Sequence, residues 1–184
     1  MKWSSKPLKD LIFKTETVNP MSNPESYFEY IDVSSVSNDL FKVVQTQSLI
    51  GRDAPSRARK LVKENDIIFA TVRPTLKRIA IIPSELNNQI CSTGYCVLRP
   101  KAELHYKYLF YFLLGDDFLE KMEQLQKGAS YPAVTDGEVK AQYIPLPPFS
   151  EQKRIVELLD ETFQGLDRAT LNTQRKLDLL KESK

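Results

Sequence analysis

Cysteine and histidine are scarce in this 184-residue chain, which holds two of the first and one of the second. Cys91 and Cys96 stand five residues apart on a strand-like segment, outside any Cys-x-x-Cys spacing. That spacing excludes a disulfide framework and predicts two small buried hydrophobes in a reducing cytoplasm. The single histidine, His105, lies between Leu104 and Tyr106 at a helix start and reads as a surface or capping residue rather than a catalyst. No apolar run approaches the roughly 20 residues that cross a bilayer, and no basic segment followed by an apolar core opens the chain, so a soluble cytoplasmic protein is expected. Phosphate-cradling loops are missing too: there is no P-loop, and no Gly-x-Gly turn follows a strand. Leu146-Pro147-Pro148-Phe149 lacks the asparagine amide that an adenine-methylating Asn-Pro-Pro-aromatic string requires. Internal repeats and low-complexity tracts are absent.

What is present is one core's worth of chain with an uneven charge distribution. Residues 15–50 carry one base against five acids, whereas residues 51–78 carry eight bases against three acids, which makes the second segment a candidate phosphate-facing surface. Leu8, Leu11 and Ile12 give a short helical or turn-like entry, and Thr15 to Pro24, with two Asn-Pro steps, reads as loop. A strand is expected at 27–33 from its aromatic and β-branched content, and strands at 66–72, 78–82 and 94–98, where apolar runs of five to seven residues end at Arg-Pro or Pro-Ser breaks. From Leu104 to Leu125 the period changes to three and four, giving two helices joined near Gly115-Asp116-Asp117. Thr135-Asp136-Gly137-Glu138 fits a capping box ahead of a short helix, and a last strand covers 142–146. The fold class is therefore α/β (α+β): a mixed twisted-sheet domain over residues 1–149, followed by a long protruding, coiled-coil-forming helix over residues 150–184.

Prolines 147 and 148 close the last strand, and Ser150 is placed to cap the helix while Glu151 favours its positive end. Val156, Leu159, Phe163, Leu166, Thr170, Thr173, Leu177 and Leu180 alternate spacings of three and four, a seam for a partner helix. One helix of that length reaches about 50 Å, too far to lie wholly against its own domain. The strings Gly128-Ala129-Ser130-Tyr131-Pro132-Ala133-Val134 and Ile144-Pro145-Leu146-Pro147-Pro148-Phe149-Ser150-Glu151-Gln152-Lys153-Arg154-Ile155-Val156 together resemble the end of a target recognition domain in the specificity subunits of type I restriction-modification systems. Ala54 to Lys60 and Asp66 to Arg78 look like the central portion of one subtype of that domain. The resemblance covers the whole chain but only one of the two recognition units usual in the family, so a fragment or a natural half-subunit is expected.

The resemblance implies double-stranded DNA as partner, one half of a bipartite target being read here. It further implies methyltransferase subunits and a restriction/translocase subunit docked on this scaffold, with a homodimer or second recognition half joined through the C-terminal helix. S-adenosylmethionine, ATP and Mg are expected on those partner subunits and no cofactor or catalytic group on this chain. Chemistry suits that reading. Arg57 and Arg59 flank a small residue and offer bidentate donors to guanine or phosphate. Arg52, Lys60 and Lys63 suit backbone contacts, and Arg73, Lys77 and Arg78 surround a proline turn of the kind a rigid sheet presents to a groove. Ser92, Thr93 and Tyr95 form one further candidate contact, and Lys127, Ser130 and Tyr131 another. The helix-pairing candidates are Val156, Leu159, Phe163, Leu166, Leu177 and Leu180. Two other classes remain open: a metal-dependent nuclease using Glu138 and Lys140, with Asp116 and Asp117 as upstream ligands, and a helix-mediated assembly protein whose basic zone is incidental.

Overall fold

A run such as Ile67-Ile68-Phe69-Ala70 has no polar residue to turn towards water, so a strand built from it must be covered on both faces. The computed structural model describes residues 3–182, apart from the side chains of 166–174 and 176–182, and it provides that cover. In chain order the elements are β1 (Ser5–Pro7), α1 (Leu8–Leu11), β2 (Ile12–Phe13), β3 (Tyr27–Ile31), β4 (Val36–Ser37), β5 (Lys42–Val43), β6 (Gln47–Ile50), β7 (Ala58–Leu61) and β8 (Ile67–Ala70). They continue with β9 (Ile79–Ile81), β10 (Ile90–Ser92), β11 (Tyr95–Pro100), α2 (Tyr106–Leu114), α3 (Asp116–Leu125), α4 (Asp136–Lys140), β12 (Tyr143–Pro145) and α5 (Phe149–Glu182).

Two four-stranded sheets dominate, one in the order β6-β3-β10-β7 and the other in the order β2-β11-β8-β9. β10 runs parallel to β3 and antiparallel to β7. The second sheet is the middle layer. Ile67, Phe69, Cys96, Leu98 and Ile79 face the helices α2 and α3, while Ile68, Ala70, Tyr95, Val97 and Ala80 face the first sheet. Strict alternation thus divides one apolar run between two cores. Cys91 and Cys96 are both buried as free thiols, on different cores, and burial pushes the Cys96 thiol up to about 12. α4 begins with the expected capping box: Thr135 Oγ1 accepts from the Glu138 N–H at 3.1 Å, and the Glu138 carboxylate accepts from the Thr135 N–H at 2.7 Å.

The C-terminal helix departs from expectation at its start. It begins at Phe149, where the Pro148 carbonyl accepts from the N–H groups of Glu151 and Gln152, so Ser150 lies inside the first turn rather than capping it. Gln152 is fully buried and fully bonded: its Oε1 accepts from His105 N–H at 2.8 Å, and its Nε2 donates to the carbonyls of Glu103 and Pro147. One helical turn on, Val156 is buried in the helix-facing core instead of forming a seam for another molecule, because α2 offers an aromatic face beside it. Asp160 then accepts from Lys107 Nζ and Tyr111 Oη, and Phe163 stacks on Tyr111 with centroids 5.6 Å apart. The first four turns of α5 therefore belong to the domain's own packing. Of the remaining seam positions, the side chains of Leu166, Leu177 and Leu180 lie outside the described residues.

Two outcomes follow from these contacts. Gln152→Leu removes three hydrogen bonds, of which the one to the Pro147 carbonyl is buried and those with His105 N–H and the Glu103 carbonyl are part-buried, so a denaturant titration is expected to show a loss of about 1–3 kcal/mol. Glu16 is held down at about 2 by hydrogen bonds from Arg99 and then Lys63. A depressed folded pKa contributes stability that is present above the ordinary 4.5 and lost as pH falls towards 2. Glu16→Gln should flatten the stability profile in that acid window and leave its neutral and alkaline limbs in shape.

Candidate nucleic-acid interface

Four segments far apart in sequence meet at one end of the middle sheet. β10 passes into β11 through Thr93-Gly94, and the pairing of β10 with β7 shifts register between Cys91 and Ser92, a bulge that bends the strand there. Beyond it the Thr93 N–H donates to the Arg57 carbonyl at 2.9 Å. Glycine follows at a tight point: a Cβ on Gly94 would lie 2.7 Å from Val33 Cγ2 and would force that side chain or the backbone to shift. Thr71 donates both its N–H and its hydroxyl to the Gly94 carbonyl, fixing the end of β8 to the same point. Arg73 N–H then donates to the Pro132 carbonyl at 2.7 Å and Val134 N–H to Thr71, which fastens the loop Lys127–Ala133 alongside.

Between Arg73 and Lys77 the chain makes a single tight turn over Pro74–Leu76, with both flanking residues left-handed at φ 49° and 53°. Non-glycine residues in that region cost about 1–3 kcal/mol each and concentrate where function fixes the backbone. The turn projects Arg73 outward, its guanidinium 5.4 Å above the Tyr131 ring. Together with Arg57, Arg78, Asp32 and Leu76 these two residues line a groove of about 730 Å³. Among the described residues Arg57 and Arg73 make no ion pair, so both present their donors to the groove. A guanidinium on an aromatic face beside an unpaired arginine can take a phosphate, or the paired acceptors of a guanine edge.

The sequence candidates separate into free and engaged groups. Thr93, Ser130, Tyr131 and Lys127 are exposed, the last two at 73% and with a side chain 86% accessible. Lys127 lies 3.6 Å from Glu138, and Lys77 lies 3.9 Å from Asp116. Arg59 is half-buried, donating to the Ala58 carbonyl. Arg52 is exposed but held by both carboxylate oxygens of Glu25. Tyr95 and Ser92 have no exposed surface, which corrects their reading as DNA contacts. Alternation along β11 turns Tyr95 inward, where its hydroxyl donates to the carbonyls of Asp32 and Val33, and Ser92 Oγ accepts from the Gly94 N–H. Lys60 is corrected likewise: it bonds the Tyr95 carbonyl and pairs with Asp136 at 2.8 Å. Arg78 lines the groove but spends its Nη1 on the carbonyls of Val33, at 3.2 Å, and Val36, at 2.7 Å. Sequence reasoning missed Asp32, Ser34 and Leu76 as groove residues. The Asp-Val-Ser-Ser turn following a strand was the available signal.

The nuclease candidates are occupied elsewhere. Glu138 is bonded to Thr135 backbone and hydroxyl, contacts that lower its carboxyl below the usual range, and Lys140 sits 3.8 Å from Asp136. Among the described residues no cluster of three or more His, Cys, Asp or Glu side chains is arranged to hold a metal ion, and no helix is long and apolar enough to cross a membrane. His105 is partly buried against Tyr106 and Phe149, and burial lowers its pKa.

Comparison with known proteins gives a consistent picture. A family model described as the type I restriction modification DNA specificity domain matches residues 2–180. The chain is 26% identical over 148 residues to the type I restriction enzyme HindI specificity subunit of Haemophilus influenzae, a match covering 79% of this chain and 31% of that protein. It is 40% identical to the HsdS subunit from Thermoanaerobacter tengcongensis, with a TM-score of 0.84 over 97% of this chain and 47% of that one. A structure solved to explain complex assembly and conformational transition of the type I R-M system matches with the same identity and coverage at a TM-score of 0.85. The chain thus spans about half the length of these solved relatives and about a third of the curated one.

The division between free and engaged cations is measurable. Lys60→Met removes two bonds to a charged donor and is expected to destabilise the domain by about 1.5–3 kcal/mol in a denaturant titration. The exposed Arg57 side chain makes no hydrogen bond or ion pair among the described residues, so Arg57→Ala should stay within about 0.5 kcal/mol of the parent.

Proposed function

The chain belongs to the family of type I restriction-modification DNA specificity domains, and from that premise we propose that it reads one half of a split double-stranded DNA target without catalysing a reaction itself. One observation carries the reading: Arg57, Arg73 and Tyr131, from three separate segments, converge on one groove, and neither guanidinium group is ion-paired among the described residues. Phosphate contacts by Lys127, Lys77 and Arg59 add sequence-independent affinity, while Arg57 and Arg73 supply donors to base edges. In this reading, methyltransferase subunits dock on the domain, bring S-adenosylmethionine and modify the DNA. A restriction/translocase subunit brings ATP and Mg, and the whole assembly works in the cytoplasm. Beyond Phe163 the helix α5 pairs with the corresponding helix of a second recognition unit and sets the distance between half-sites. Supporting this is the seam spacing of Leu166, Leu177 and Leu180, together with solved relatives about twice this length.

Fluorescence anisotropy on duplexes selected from a random library tests the groove. Arg57→Ala or Arg73→Ala is expected to cost about 1–3 kcal/mol in affinity and to relax preference at one base pair, whereas Lys127→Ala weakens all sequences alike and lowers the salt slope by about one. Unchanged affinity in all three folded variants would move the interface elsewhere. The helix is tested separately by Leu166→Glu combined with Leu177→Glu. Sedimentation should show loss of association with an unchanged melting temperature, and a large drop in melting temperature with unchanged mass would assign those residues to the domain's own core.

A further inference from the structure

One carboxylate stands among the arginines of the groove. Asp32 shares its lining with Arg57, Arg73 and Arg78, yet none of them pairs with it among the described residues. Its side chain faces the Ser35 N–H as the capping member of the short turn that follows, and among the described residues its other contacts are long ones, from Tyr30 Oη at 3.4 Å and from Ser34 Oγ at 3.5 Å. Its backbone, in contrast, is firmly mounted. Asp32 N–H donates to Ser35 Oγ at 3.0 Å, and its carbonyl accepts from Ser35 N–H and from Tyr95 Oη. Tyr95 is itself buried, and Arg78 ties down the next residues through the carbonyls of Val33 and Val36. The turn therefore holds in a fixed place a half-exposed carboxylate that no cation neutralises among the described residues and that keeps lone pairs for a further donor.

A carboxylate repels the phosphates that the neighbouring arginines attract, so in a DNA-facing groove it lowers affinity unless a donor meets it. Duplex DNA offers such donors only on base edges. In the major groove adenine presents its amino group beside the N7 acceptor, which would face the carboxylate unfavourably, whereas cytosine presents the N4 amino group alone. The guanine paired with that cytosine presents O6 and N7, the acceptors suited to a free arginine such as Arg57. We propose that Asp32 is a specificity-determining residue that accepts a hydrogen bond from the N4 amino group of a cytosine, an assignment resting on the DNA-reading function proposed above.

The test deletes each partner in turn. Duplexes selected by the parent protein define the half-site, and each cytosine in it is replaced by a 2-pyrimidinone nucleotide, which lacks the N4 amino group. At one position this replacement should weaken the parent about tenfold or more. Asp32→Ala should show the same loss on the unmodified duplex and no additional loss on the modified one, while binding random duplex as well as the parent or better. Asp32→Ser keeps a turn-forming side chain too short to reach the base and is read in the same way, so a folding defect in the alanine variant does not decide the matter. Variants that retain the parent's sensitivity to every amino deletion overturn the assignment and leave the DNA-reading function standing. Failure of the parent to select any duplex overturns the function itself and the assignment with it.

Discussion

Burial of β8 and β11 on both faces is the constraint from which the rest of the structure hangs. Their antiparallel register, Ile67 opposite Leu98 and Ala70 opposite Tyr95, places two different locks at the two ends of the pair. At one end Asp66, with no exposed surface, receives Arg99 through Nε at 2.8 Å and Nη2 at 2.9 Å, and Lys63 N–H at 2.8 Å. A buried ion pair survives desolvation only when its remaining lone pairs are also bonded, and here they are. At the other end the lock is neutral: Thr71 bonds twice to the Gly94 carbonyl. The charged end is tied inward, which leaves the neutral end to carry loops with free arginines.

That arrangement explains which parts were legible beforehand. β8, β9 and β11 announce themselves as apolar runs, the change of period marks α2 and α3, and the Thr135 capping box depends on residues three apart; all are local signals. β7 was missed because Ala58-Arg59-Lys60-Leu61 reads as charged loop, and it becomes a strand only by pairing with β10, about 30 residues away in sequence. Lys60 looked like a phosphate ligand for the same reason, since its partner Asp136 is 76 residues distant. Tyr95 was misread in spite of a local signal: it alternates with Val97 on the face that Ile68 and Ala70 share, and that period alone turns it inward.

The basic segment also shows why a count of charges overstates an interface. Of its eight bases, Arg52 and Lys63 pair with carboxylates at the surface, Lys60 with Asp136, and Arg78 is committed to backbone carbonyls. A cation already bonded in this way reaches a phosphate only by giving up those bonds, so it adds to the long-range field without serving as a contact. Two of these four, Lys60 on the Tyr95 carbonyl and Arg78 on the carbonyls of Val33 and Val36, instead brace the backbone beside Arg57 and Arg73.

The helix α5 carries the consequence to the rest of an assembly. Gln152, Val156, Asp160 and Phe163 follow one another at intervals of four, four and three, so a single face is consumed by packing against the domain. Leu158, on the opposite side, is 51% exposed, more than Phe149 or Phe163 in the same stretch. A partner helix approaching within these turns must therefore use a face rotated away from the domain. The three bonds of buried Gln152 fix the rotational phase and the angle at which the helix leaves the domain. Any spacing that the helix imposes between two recognition units is in this way referred back to the sheet that holds the groove.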